Sequence, residues 1–98
     1  MFTITAVIRC QPGQDQVMRE ALLDVAAHVR ANEPETLSFY VSQDLTDPCR
    51  FTTHERFSDQ AAMDRHNGSA VVARFFAIAG PILAGEVVLV TGTEMFFK

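Results

Sequence analysis

Tryptophan is absent from this 98-residue sequence, tyrosine occurs once, cysteine twice, and lysine and arginine together only eight times. Each shortage excludes something. Two cysteines, Cys10 and Cys49, are too few for a disulfide framework, and their spacing matches no zinc motif. Eight basic residues against twelve acidic ones give a formal net charge of −4. The basic residues are spread along the chain from Arg9 to Lys98, so no positive patch points to nucleic acid or to an anionic membrane surface. No apolar run approaches the roughly 18 residues that span a bilayer. Met1 leads directly into an alternating pattern instead of a basic segment with an apolar signal core, so a cytoplasmic location is expected. A glycine-rich phosphate loop, a nucleophile elbow and paired Cys or His metal ligands are also missing, and neither a cofactor nor a metal is expected.

What is present is an ordinary globular composition, 48% hydrophobic and 20% charged, with no charge block that would hold the chain open. The length suits one domain, residues 1–98, with a core burying roughly 65% of the unfolded surface. Phe2, Ile4, Ala6, Ile8 and Cys10 alternate with Thr3, Thr5, Val7 and Arg9, the period of a strand with its richer apolar face inward. Pro12-Gly13 turns the chain. From Gln14 to about Asn32, Val17, Ala21, Leu22, Val25, Ala26 and Val29 recur at helical steps, and Pro34 stops that helix. Leu37, Phe39 and Val41 alternate with Ser38, Tyr40 and Ser42 as a second strand, with Asp47-Pro48 turning into a third from Arg50 to Phe57.

Ser58 or Asp59 can cap a short helix carrying Ala62, Met63 and His66. Asn67-Gly68 breaks it before a second helical stretch, Ser69 to about Ala79, which Gly80-Pro81 ends. Glu86 to Phe97 reads as the last strand, and Val87 to Val90, apolar on both faces, implies cover on both sides. The order βαββαβ is the ferredoxin-like α+β arrangement, a four-stranded antiparallel sheet with helices on one face.

If Phe39, Phe51 and Phe57 face the helices, the reverse face presents Thr3, Thr5, Ser38, Tyr40, Ser42, Thr52 and His54. So few charges on an open sheet face predict packing against another sheet, and hence a homodimer. In the third strand Phe51, Thr53, Glu55 and Phe57 share the helix-facing side, which sets the Glu55 carboxylate between two aromatic rings. It needs a partner there: an arginine, a helix cap, or His66, whose helix returns over the sheet directly after this strand. A Glu55–His66 couple in an apolar setting suits proton transfer, because the carboxylate orients the ring and stabilises its charged form. His66 could equally interact with the last carbonyls of its own helix. His28 and His54 read as surface or interface residues. Phe75 and Phe76 add to an aromatic interior that fits either a filled core or a pocket for a flat ligand. Cys10 and Cys49 read as small apolar residues, which become neighbours if strands one and three pair antiparallel.

Four segments together resemble the antibiotic biosynthesis monooxygenase family, a branch of the dimeric α+β barrel proteins. They are Pro12-Gly13, Glu33-Pro34-Glu35-Thr36-Leu37-Ser38-Phe39-Tyr40-Val41, Phe51-Thr52-Thr53-His54-Glu55-Arg56-Phe57, and Ala62 to His66 followed by Ser69 and Phe75. The resemblance implies a homodimer joined sheet to sheet, with a pocket in each subunit between sheet and helices. It also implies oxidation of a small electron-rich aromatic, a quinol or anthrone, by dioxygen without metal or flavin. Glu55 and His66 match the family's positions and would carry the chemistry; Phe39, Phe51, Phe57, Met63, Phe75 and Phe76 would hold the substrate. The chain departs from the family at Phe57, where Trp is frequent, at Glu35, where Gly is, and at Val71 or Val72, where a second His is. Lacking that Trp and a first-strand Asn, it does not resemble the haem-degrading relatives. It also offers no phosphate clamp for sugar-phosphate substrates. Two readings follow, a cofactor-independent oxygenase and a non-catalytic dimeric protein that binds a small ligand or stress metabolite.

Overall fold

The computed structural model describes residues 1–98. Strand β1 (Phe2–Arg9) is followed by α1 (Asp15–Asn32), β2 (Thr36–Gln43), β3 (Arg50–Phe57), α2 (Gln60–Asn67), α3 (Ala70–Ala79), a 3₁₀ turn (Gly80–Ile82) and β4 (Val88–Thr93). The strands form one antiparallel sheet in the order β2-β3-β1-β4. This is the ferredoxin-like βαββαβ fold, and within one chain the sheet stays open, with β2 and β4 at its edges.

Period-two alternation sends Ile4, Ala6, Ile8 and, just past β1, Cys10 to the buried side of the sheet. Ile4 packs with Phe57 and α2, and Ala6, Ile8 and Cys10 meet one face of α1. That face is Met18, Ala21, Leu22, Val25 and Val29. The helical stripe matches the sequence reading at Ala21, Leu22, Val25 and Val29 and differs at its start, where Met18 takes the place of Val17. Val17 is 41% exposed while Met18 is fully buried, because Met18 continues the row of Leu22, Val25 and Val29 by one more turn. Gly13, at φ +85°, makes the turn before α1 in the left-handed region that glycine enters without strain.

Strand β2 also differs from a simple alternation. Thr36 pairs with Phe57 and Ser38 with Arg56, so Leu37 is an extra residue on the β2 side. A bulge of this kind shifts side-chain parity by one. Leu37, expected in the core, is consequently 43% exposed, whereas Phe39 packs against the core.

Strand β4 is shorter than the expected Glu86 to Phe97. Its apolar residues Val88, Leu89 and Val90 are all more than half exposed. As β4 is an edge strand, the cover that the sequence implies is not supplied within one chain.

The corner that positions His66 is built from local caps. Asp59 caps α2 by accepting from the Ala62 N–H at 2.8 Å. At the other end the Ser69 hydroxyl accepts from the Val72 N–H to cap α3 and donates to the His66 carbonyl at 2.7 Å. The last turn of α2 is therefore tied to the first turn of α3, with no loop between them to let His66 drift.

Candidate active site

Strand pairing sets Glu55 in the middle of the helix-facing side of the sheet. Its cross-strand neighbours are Ile4 on β1 and Phe39 on β2, and Thr53 and Phe57 flank it along β3. All but 6% of Glu55 is buried. An isolated carboxylate in such surroundings would carry a large desolvation penalty. Two groups offset it: the Thr53 hydroxyl donates to Glu55 Oε2 at 2.9 Å, and His66 Nε2 lies 3.1 Å from Oε1.

His66 is itself buried, with 4% of its surface exposed. Its ring is wedged against Phe57 and Phe39, at centroid distances of 5.4 and 5.8 Å. Its second nitrogen, Nδ1, is 2.8 Å from Glu33 Oε1, an oxygen that also accepts from the Thr36 hydroxyl at 2.8 Å. The imidazole therefore bridges two carboxylates. Burial, the largest single influence, pushes its pKa down, but the hydrogen bonds and charges of Glu55 and Glu33 together outweigh it and leave it raised above the ordinary 6.5. The charged form is favoured in the fold.

Glu55 and His66 stand in the wall of a cavity of about 250 Å³ between the sheet and helices α1 and α3. The rest of its lining is almost wholly apolar: Ile4, Ala6 and Ile8 from β1, Leu22 and Val25 from α1, and Val72, Phe75 and Phe76 from α3. Thr53 and Asn67 are the other polar residues, and no further titratable group reaches it. Phe76 and Leu89, each more than half exposed, stand at its rim. No cluster of three His, Cys, Asp or Glu side chains is arranged to hold a metal ion.

Of the six residues expected to contact substrate, Phe39, Phe75 and Phe76 line the cavity. Phe51, Phe57 and Met63 do not. Phe51 is packed in the main core, and Phe57 and Met63 form a separate cluster with Ile4 and Ala62. Phe57 instead supports the His66 ring from behind. Sharing a strand face with Glu55 placed these rings on the correct side, but they pack into core and not into the cavity wall.

The sequence reading also missed part of the polar network. Glu33 appeared only within a resembling segment, and His28 only as a surface residue, yet His28 Nε2 lies 3.3 Å from Glu33 Oε2. Their five-residue spacing across the end of α1 was the available signal. Cys10 and Cys49 are neighbours, as antiparallel pairing of β1 and β3 requires: the Cys10 N–H donates to the Cys49 carbonyl at 2.9 Å. Both are free thiols. Burial, reinforced by a hydrogen bond and charge repulsion from Cys49, pushes the Cys10 thiol up to about 11.

The fold and the buried acid–base pair define a ferredoxin-like α+β protein with a small apolar pocket on the helix side of its sheet. The family model for antibiotic biosynthesis monooxygenase matches residues 1–78, and the chain belongs to that family. Among solved structures, a Caulobacter crescentus protein named for the same family is 26% identical. It covers 95% of this chain and 90% of its own length with a TM-score of 0.86. A Pseudomonas aeruginosa protein is 25% identical over 97% of this chain and 94% of its own, with a TM-score of 0.84. A Nitrosomonas europaea protein, also named for the family, is 18% identical with a TM-score of 0.88, covering 98% of this chain and all of its own, and shows the shared fold. The comparison with curated proteins gave no match.

Proposed function

We propose that this family member is a cofactor-independent monooxygenase that oxidises a small quinol-like aromatic with dioxygen, Glu55 acting as the proton acceptor and His66 as its charged partner. One observation carries the reading: the only titratable side chains on the wall of an otherwise apolar cavity are a carboxylate and an imidazole 3.1 Å apart. A phenolic O–H bound against Phe39 and Phe75 gives its proton to Glu55. The electron-rich ring carbon then bonds dioxygen, and the resulting hydroperoxide loses water to leave a ring carbonyl. Dioxygen is the oxidant and the substrate supplies all the electrons, so the protein has only to move protons and exclude water. At about 250 Å³ the cavity is slightly smaller than the usual ligand pockets, which run from roughly 300 to 1,000 Å³. That size favours one- or two-ring substrates over larger anthrones.

The proposed active unit is a cytoplasmic homodimer. The outer face of the sheet carries Tyr40, Val88 and Val90, all more than half exposed, beside the hydroxylic Thr5 and Thr52. Such a face, with so few charges, favours a second sheet as its cover. Light scattering at micromolar concentration is expected to give the mass of two chains.

A non-catalytic ligand-binding role is the second reading. It is favoured by the fact that both Glu55 oxygens already have partners within the protein, as in a purely structural pair. Oxygen uptake by chelator-treated protein with a panel of quinols separates the two. The oxygenase reading requires uptake above background that falls in both Glu55→Gln and His66→Ala, while binding of the same quinols without any uptake would establish the second reading.

A further inference from the structure

His66 is a wall with two sides. On one side it faces the apolar cavity; on the other it lines a second, polar cavity of about 270 Å³ that opens on the outer surface beside His28 and Glu33. No other residue lines both. Polar contacts link one cavity to the other, the last of them, Glu33 to His28, being a charge contact and not a hydrogen bond. Thr53 meets Glu55 at 2.9 Å, Glu55 meets His66 at 3.1 Å, His66 meets Glu33 at 2.8 Å, and Glu33 meets His28 at 3.3 Å. The His28 side chain at the far end is 34% exposed.

We infer that Glu33 and His28 form a proton exit behind the acid–base pair, carrying to the outer surface the proton that Glu55 takes from substrate and returning it when the hydroperoxide loses water. The inference rests on the oxygenase reading of the cavity. It explains a feature that a simple ion pair leaves over: Glu33 Oε2 is buried with no hydrogen bond of its own, although Oε1 of the same carboxylate has two partners. That free oxygen is the one nearest His28.

The steps balance. An O–H bond forms on Glu55 as the substrate's breaks. The His66 Nδ1–H bond then breaks and its proton moves to Glu33, which releases it to His28 or to water in the outer cavity. Glu55 and His66 end neutral and Glu33 ends as a carboxylate. The three side chains thus carry the same net charge after the transfer as before, and the one added negative charge resides on the substrate anion until the proton returns. The raised pKa of His66 is consistent with a ring that starts charged. The groups facing His66 are Glu55 from β3, Glu33 from the end of α1, and the Phe39 and Phe57 rings. Arg65 and Glu35, ion-paired with each other, are the other charged lining residues of the outer cavity.

The test compares Glu33→Gln, which keeps the shape but cannot take a proton, and His28→Leu, which blocks the exit with an apolar side chain. Quinol-dependent oxygen uptake is measured at rising concentrations of imidazole buffer. Wild-type turnover is expected to be insensitive to buffer; both variants are expected to be slower by about tenfold, with the His28→Leu loss partly restored by imidazole. In parallel, exchange of the His66 Nδ1–H with water is followed by NMR on substrate-free protein, where about tenfold slower exchange is expected in both variants. Unchanged exchange in both variants overturns the relay, as does a turnover loss without buffer rescue. If the wild type takes up no oxygen, the oxygenase reading fails, and the exchange measurement alone decides whether the proton path exists.

Discussion

Glu55 and Arg56 are consecutive residues on β3, both buried, and they solve the burial of charge in opposite ways on opposite faces of one sheet. Arg56 points outward. It forms a two-pronged ion pair with Glu94, and its guanidinium lies 3.6 Å from the centre of the Phe97 ring. Arginine stays charged at any ordinary pH, so the pair stays intact wherever Glu94 is ionised, and it ties the segment after β4 to the sheet. Glu55 points inward to a histidine, which can be charged or neutral. A permanent cation makes a fastener; a titratable one, beside a cavity, makes a place where protons can move.

The largest expected effect tests the inner pair. Glu55→Gln should lower quinol-dependent oxygen uptake by about 100-fold or more, the usual range for a lost proton acceptor. The same change leaves His66 with one carboxylate in place of two and should cost about 3 kcal/mol in urea unfolding, as for other broken buried pairs. Uptake that survives this substitution would remove the functional half of the contrast between the faces.

The two faces should also respond to pH with opposite signs. His66 has a pKa raised by the fold above 6.5, so its contribution is fully present below that value and is lost as the pH rises through the folded value. Glu94, held below the ordinary 4.5 chiefly by its hydrogen bond to Arg56, contributes above that value and loses its contribution as the pH falls. Thermal unfolding from about pH 2 to about pH 9 should therefore show Glu33→Gln flattening the alkaline limb and Glu94→Gln the acid limb. A common response of both variants on the same limb would contradict the assignment.

Arg56→Ala should act locally. With its anchor gone, the segment after Thr93, already exposed at Met95 and Phe96, should be cut faster by protease while the cavity and its ligand affinity stay intact. The smallest effect is expected where neither burial nor a cavity is involved. Arg74 and Asp24 link α3 to α1 at 2.9 Å, but both side chains are more than half exposed, and a double-mutant cycle should give about 0.2–1 kcal/mol. A larger coupling there would mean that exposure does not set the hierarchy of these pairs.

Much of this contrast can be read from the chain. Residue parity on β3 alone places Glu55 and Arg56 on different faces, and the short Asp59-capped helix that follows brings His66 back over the strand. The ordering of elements also follows from local pattern, whereas the pairing of β1 with β3 enters the sequence reading only as a condition that the structure meets. Reading fails where one residue changes the count or where partners are distant. The bulge at Leu37 shifts the phase of β2, and no local signal distinguishes it from continued alternation. Phe51, Phe57 and Met63 carry the same aromatic or apolar signature as Phe39 and Phe75, yet they fill core while the latter line space.

By itself the sequence determined the βαββαβ order, the two faces of the sheet and the presence of a carboxylate and an imidazole on the inner one, because periodicity and capping act over a few residues. Only the tertiary structure decided that the inner face is not filled. It also decided that His66 divides an apolar cavity from a polar one and that Glu33 and His28 stand behind it. Those outcomes depend on how far α1 and α3 stand from the sheet and on where the end of α1 meets α2, and such distances are set by packing the whole chain at once.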